Sequence, residues 1–184
     1  MQISSTEILP IEKYQDFTIE CAGQYDGDFV ALVMSSLLKE IYPSDLQLDE
    51  DDVHKACNEM LSNESHHVHA ILAFDGDKSP AGIIMMSEGS AIYAGGRLGI
   101  VTEFVIMPHY RSLGLGEAMV KYAYRLAQLK HWLRLAIVVP GGVGNRGRVM
   151  RYFKRHGFQH HGAVMQSEVK LGEVRLSDIK QINI

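Results

Sequence analysis

The spacing of apolar positions changes several times along the chain, and each change marks an element. Between Phe17 and Ala22, Phe, Ile and Cys alternate with Thr and Glu, which predicts a short strand with one buried face. From Phe29 the period lengthens. Phe29, Val33, Leu37 and Ile41 recur at helical spacing, with Asp26 or Asp28 placed to cap the helix and Pro43 to end it. The acidic run Asp49–Asp52 precedes Val53, Cys57, Met60 and Leu61. Carboxylates in a first turn satisfy free N–H groups and meet the positive end of a helix dipole, which accounts for the run more simply than a site for a cationic substrate. Val68–Phe74 and Ala81–Met86 predict two strands, and Asp75-Gly76-Asp77 between them predicts a hairpin turn. Gly95-Gly96 breaks the chain, and Leu98–Met107 predicts a longer strand closed by Pro108. Gly116–Lys130 carries Ala118, Met119, Tyr122, Ala123, Leu126 and Leu129 on a helical period. Leu133–Val139 predicts a compact strand, Arg148–Arg155 a short helix stopped by Gly157, and Ala163–Lys170 a last strand. Strand, helices, hairpin, long strand, helix, strand, helix, strand describes an α/β fold on a sheet of mixed direction.

Composition narrows the class. No repeat, low-complexity linker or compositional shift divides the 184 residues, so a single domain over 1–184 is expected. Hydrophobic residues at 46% and charged residues at 22% exclude disorder over most of the length. The net charge of -4 argues against a general nucleic-acid binder, although Arg and Lys concentrate between Lys121 and Arg155. Cys21 and Cys57 lie far apart with no CxxC spacing, which reads as two reduced thiols rather than a zinc site. The N-terminal MQISSTEILPIEK lacks a basic start followed by an apolar run, so no secretory signal is expected. No run approaches the roughly 18 apolar residues of a membrane span, and the cytoplasm is the expected location.

His66, His67 and His69 suggest a metal cluster, and on a strand His67 and His69 would share a face. No nearby Cys or second carboxylate completes a ligand set. Solvated histidines at the entry to a strand are expected instead, with His160 and His161 on the surface and no metal. Trp132 reads as packing.

Between the long strand and the next helix lies His109-Tyr110-Arg111-Ser112-Leu113-Gly114-Leu115-Gly116-Glu117. Glycines permit positive φ and close approach of a ligand, and N–H groups at a helix start converge on an anion. Arg111 can add a charge-assisted contact. An ordinary strand-to-helix turn fits the spacing equally well. A dinucleotide fingerprint fails for want of the third glycine and the following acidic residue, and a P-loop fails for want of Gly-Lys-Ser/Thr. Gly141-Gly142-Val143-Gly144 lacks the lysine and reads as a flexible loop.

The same segment resembles the signature of the GCN5-related N-acetyltransferases, Arg/Gln-x-x-Gly-x-Gly/Ala after a strand ending in hydrophobic-x-Pro. Arg111, Gly114 and Gly116 match it, as does Glu103-Phe104-Val105-Ile106-Met107-Pro108 before it. Tyr152-Phe153-Lys154-Arg155-His156-Gly157-Phe158 resembles the family's closing Phe-Tyr-Glu-Lys-x-Gly-Phe. The similarity covers about residues 65–170.

The resemblance implies an acyl-CoA N-acyltransferase fold, a central twisted mixed sheet with two splayed strands, flanked by helices. It implies acetyl-CoA as co-substrate, no metal, and transfer of an acetyl group to a small-molecule or peptide amine by direct attack on the thioester. Dimers are common in the family, so a homodimer is one assembly to expect. The pantetheine arm would lie against Phe104, Val105 and Ile106, with the backbone of Phe104 and Ile106 turned towards it. Arg111, Ser112, Leu113, Gly114, Leu115, Gly116 and Glu117 would hold the pyrophosphate. Glu103, a carboxylate inside an apolar strand, is the candidate base, against a purely structural carboxylate. The family's proton-donating tyrosine falls where this chain has Phe153. Tyr152, one place earlier, would serve if the helix is shifted by one residue, and packs in the core if it is not. Asn145 is displaced from the family's usual asparagine in the same way. Tyr93 borders the acceptor region in this fold. Two other functions remain in view. A toxin of the same fold acetylating aminoacyl-tRNA is one, supported by Arg134, Arg146, Arg148, Arg151, Lys154 and Arg155. A non-catalytic acyl-CoA sensor is the other, supported by Phe153.

Overall fold

The computed structural model describes residues 9–23, 25–41, 49–62, 67–139 and 146–162. Within them six strands form one sheet in chain order: β1 (Glu12–Tyr14), β2 (Phe17–Cys21), β3 (Val68–Phe74), β4 (Pro80–Ala91), β5 (Gly96–Ile106) and β6 (Arg134–Ile137). Neighbours are antiparallel except β5 and β6, which run parallel and are joined by helix α3 (Leu115–Leu129). Helices α1 (Gly27–Ile41) and α2 (Glu50–Leu61) connect β2 to β3, and α4 (Arg146–Arg155) follows β6. The mixed sheet and the order of elements agree with the sequence pattern. The expected strand at Ala163–Lys170 lies outside the described residues, as do Pro43, His66, the Gly141–Gly144 loop and Asn145. β1 is an addition; three residues of Glu-Lys-Tyr are too short to give a period.

Alternation along the strands gives the sheet two apolar faces. Ile84, Met86 and Val101 face α3, meeting Leu115, Met119, Tyr122 and Leu126. Leu72, Ile83, Met85 and Val105 face α1 and α2, meeting Val30, Val33, Met34, Val53 and Cys57. In α1 the buried stripe is therefore Val30–Val33–Met34, continued by half-buried Leu37, and Phe29 sits at its margin at 40% exposed, edge-on to Phe74 at 5.4 Å. A helical face collects i, i+3 and i+4, which moves it off the i, i+4 series begun at Phe29. Asp49 caps α2, accepting from the Asp52 N–H at 2.8 Å, and Glu50, Asp51 and Asp52 fill the first turn.

The end of the sheet near Gly96 is closed by Trp132. A Cβ on Gly99 would lie 2.2 Å from the indole Cε3, so only glycine lets the ring lie on β5. The indole N–H donates to Glu88 at 3.0 Å, and the same carboxylate accepts from Arg97. His69 is not solvated as its position suggested. Its ring packs on Trp132, and its Nε2 is buried 3.8 Å from Glu88, too far for a hydrogen bond. Burial, reinforced by the Lys130 charge, lowers its pKa to about 4. Cys21 and Cys57 are free thiols.

Candidate active site

β5 is paired along one edge throughout and along the other for only part of its length. Its parallel pairing with β6 runs from Leu98 to Val101 and ends in the bond from Val138 N–H to the Val101 carbonyl at 3.2 Å. Beyond that point no described strand covers the edge, and Thr102–Ile106 line a gap. The antiparallel register with β4 fixes which backbone groups face it. Met107 N–H donates to the Ala81 carbonyl at 2.9 Å, so Met107 and Ala81 form a hydrogen-bonded pair. In an antiparallel ladder such pairs alternate. Val105 opposite Ile83 and Glu103 opposite Met85 are then turned to β4, and Phe104 and Ile106 turn their N–H and C=O groups into the gap. Val105 is thus framework: its backbone is spent on β4 and its side chain is buried against α1 and α2.

A β-bulge sets the side chains. Met85 pairs with Glu103 and Met86 with Val101, which leaves Thr102 as an extra residue on β5. The bulge reverses the parity, so Val101 and Phe104 share the α3 face although they are three apart. Glu103 goes to the opposite face with Val105, near Cys57 of α2, whose thiol is pushed up by burial and, to a lesser degree, by the Glu103 charge. Burial pushes the Glu103 pKa above its ordinary value, partly opposed by a hydrogen bond from the Thr102 hydroxyl. The carboxylate sits where β6 leaves off.

The loop after β5 is anchored before it turns. Pro108–Tyr110 forms a 3-10 turn, and the Tyr110 hydroxyl donates to Asp75 at 2.5 Å. Asp75 in turn accepts from the N–H groups of Asp77 and Ser79. Arg111 Nε donates to the Ile106 carbonyl at 2.9 Å, which ties the loop to the end of β5 and occupies one of the two carbonyls facing the gap. Ser112 and Gly114 both adopt positive φ, 67° and 79°. The chain thereby folds back so that α3 begins at Leu115, and its first internal bond is from Ala118 N–H to the Gly114 carbonyl. The N–H groups of Leu115, Gly116 and Glu117 have no carbonyl a turn behind them, and no side chain caps the helix. Such amides at the positive end of a helix suit an anion.

Gly116 is where the helix start meets the strand. A Cβ there would lie 2.9 Å from the Tyr152 hydroxyl and 3.4 Å from Phe104. Tyr152 comes from α4, its ring 6.2 Å from Phe104 and 4.5 Å from His156. Its hydroxyl is buried without a partner among the described residues, and burial, with the Glu117 charge as a lesser cause, pushes the pKa up to about 12. Phe153 is the core residue, packed on Phe104 and Phe158. The helix therefore turns Tyr152 towards Phe104 and Gly116, at the start of α3, and Phe153 into the core.

Glu103 and Tyr152 approach β5 from opposite faces of the sheet, with the unpaired edge between them. Tyr93 is not brought to them. It is exposed in the turn at the Gly96 end of β5, and the strand to Glu103 is roughly 23 Å at 3.3 Å per residue. Sequence reasoning missed Thr102, Tyr110 and Tyr14. A bulge leaves no mark in residue types, Tyr14 reaches the loop from a distant hairpin, and the bond from Tyr110 to Asp75 depends on how the β3–β4 turn packs on the loop. Among the described residues no group of three or more His, Cys, Asp or Glu could hold a metal ion, and no helix is long and apolar enough to cross a membrane.

The model of the acetyltransferase (GNAT) family matches residues 28–158. No curated protein sequence matches. Several solved structures share the fold. A possible acetyltransferase from Clostridium difficile 630 superposes with TM-score 0.69 at 16% identity, over 85% of this chain and 99% of that one. A predicted acetyltransferase with acetyl-CoA from Clostridium acetobutylicum gives 0.64 at 15%, over 83% and 96%. An aminoglycoside acetyltransferase from an uncultured soil metagenomic sample, in complex with trehalose, gives 0.67 at 9%, over 88% and 100%. At these identities the likeness establishes the fold alone.

Proposed function

Because the chain belongs to the acetyltransferase (GNAT) family, we propose that it transfers an acetyl group from acetyl-CoA to the amine of a small molecule or peptide. The observation that carries this reading is the edge of β5 at Thr102–Ile106, which no described strand covers, with a half-buried carboxylate on one face and, on the other, a tyrosine hydroxyl that has no hydrogen-bond partner among the described residues. The pantetheine arm adds to that edge as an extra strand, using the backbone of Phe104 and the N–H of Ile106. The pyrophosphate is held by the amides of Ser112–Glu117 beside Arg111.

Glu103 takes a proton from the incoming ammonium, directly or through water, so that the neutral nitrogen can attack the thioester carbon. A β5 N–H in the gap donates to the oxyanion that forms. The C–S bond then breaks, and the proton that the attacking nitrogen still carries passes to water. Tyr152, still protonated because its pKa is near 12, donates a hydrogen bond to the departing thiolate. Base and donor on opposite sides of the sheet fit a reaction in which the amine enters from one side and the sulfur leaves on the other.

Calorimetric titration with acetyl-CoA, CoA and NADH is the direct test. Saturable binding of both CoA species and none of NADH is expected; a folded sample indifferent to acetyl-CoA and CoA overturns the reading. A panel of amines follows. It includes an aminoacyl-tRNA, because α4 turns Arg148, Arg151, Lys154 and Arg155 to solvent. Tyr152→Phe keeps the ring packing and removes only the donor. It is expected to slow transfer about 10- to 100-fold, the worth of a hydrogen bond to a charged group, with acetyl-CoA affinity unchanged. A full wild-type rate would return Tyr152 to a packing role.

A further inference from the structure

The anion loop is bordered by a residue from outside the family-matched span. β1 and β2 form a hairpin in which Tyr14 pairs with Phe17 across the turn at Gln15 and Asp16, and Gln15 takes a positive φ of 52° to close it. The hairpin lies on the sheet edge beside α3, and the Tyr14 ring is half-buried against the α3-side core. Its hydroxyl reaches over the loop. A Cβ on Gly114 would lie 2.3 Å from Tyr14 Oη and 3.3 Å from the ring carbon that bears it. Gly114 is also the residue that opens α3. The hydroxyl is therefore held against the backbone whose amides point to the anion position.

The hydrogen bonding leaves its proton available. Gln15 Nε2 donates to Tyr14 Oη at 3.3 Å, which uses an oxygen lone pair, and no described residue accepts the tyrosine's own proton. The Lys121 ammonium, paired with Glu117 at 2.7 Å one turn into α3, lies near enough to Tyr14 to interact with it electrostatically. An O–H donor and a helix start meet at Gly114.

We infer that Tyr14 is a ligand of the acetyl-CoA pyrophosphate, donating its hydroxyl hydrogen to a phosphate oxygen held by the Gly114–Glu117 amides. This rests on the acetyl-transfer reading. It explains why the position over Tyr14 is glycine: the hydroxyl occupies the space that a side chain would take. It also gives the β1–β2 hairpin a function, as the element that completes the anion site from the far side of α3.

The test compares wild type with Tyr14→Phe, which keeps the ring. Both are titrated with acetyl-CoA and with S-acetylpantetheine, which carries the thioester arm and lacks the pyrophosphate, and binding is followed by NMR up to millimolar ligand. Tyr14→Phe is expected to weaken acetyl-CoA binding about 10-fold, the lower end for a hydrogen bond to a charged acceptor, and to leave the S-acetylpantetheine response and the ligand-free melting temperature unchanged. Undiminished acetyl-CoA affinity, or an equal loss for both ligands, overturns the role of Tyr14 alone. A wild-type chain that binds neither ligand overturns the acetyl-transfer reading and this inference with it.

Discussion

Acetyl-CoA binding is expected to fall by at least about 100-fold on Gly114→Asp. Three costs coincide at this residue. Its φ of 79° is a conformation that L side chains adopt with strain. The new Cβ would meet Tyr14 Oη at 2.3 Å, so the β1–β2 hairpin or the loop must move. The carboxylate would then sit at the positive end of α3 and satisfy the amides that the pyrophosphate needs, with a charge of the same sign as the ligand. Gly114→Asn separates these costs, because it has the same shape without the charge and Asn tolerates positive φ better than most residues. Asp should lose clearly more affinity than Asn. Calorimetry on both variants, with melting curves to confirm folding, decides it. Wild-type affinity in folded Gly114→Asp removes the loop from the binding site, and equal losses in the two variants remove the electrostatic part of the argument.

Glu103→Gln should separate binding, rate and stability. Acetyl-CoA affinity should stay within about 2-fold, since the Phe104 and Ile106 backbone and the loop are untouched. The transfer rate near neutral pH should fall by about 100-fold or more, the usual contribution of a general base. The wild-type rate should rise with pH along a limb that begins above the ordinary carboxylate range, because burial holds the folded-state pKa of Glu103 above 4.5. Gln should erase that limb. Stability carries an independent sign. A carboxyl whose folded pKa is raised stabilises the fold below its unfolded pKa, and this is lost as pH rises through the folded value. At neutral pH Glu103 is an ionised group kept partly from water, so Gln should raise the melting temperature at pH 7 and leave it unchanged near pH 4. A slower enzyme that is also more stable marks a group retained for chemistry. If the rate holds and the melting temperature drops, Glu103 is a structural carboxylate.

Much of this site is legible in the chain. The elements came from period: β3, β4 and β5 from apolar runs bounded by turn residues, α3 from Met119, Tyr122, Ala123 and Leu126 recurring with the helical turn. The loop came from local chemistry, because Gly114 and Gly116 are demanded by a positive φ and a close approach within a few residues of each other. Arg111 was legible only as a cation; that its Nε binds the Ile106 carbonyl depends on where β5 stops. His69 was misread because it follows His66 and His67 at the entry to a strand and was grouped with them, whereas its burial comes from Trp132 beyond the end of α3.

The sequence by itself determined the order and type of the elements from β2 to α4 and the backbone demands of the anion loop, since both rest on interactions between residues close along the chain. The tertiary structure decided which face each side chain serves. The bulge at Thr102 shifts parity, sends Glu103 to the α1–α2 face and Phe104 to the α3 face, and leaves no trace in residue types. The rotation of α4 decided that Tyr152 meets Gly116 and Phe104 and that Phe153 enters the core. The β1–β2 hairpin brought Tyr14 onto Gly114 across a hundred residues of chain. A half-turn of a helix or one extra residue in a strand costs little locally, and only the packing of the sheet against its two helical layers selects among the alternatives.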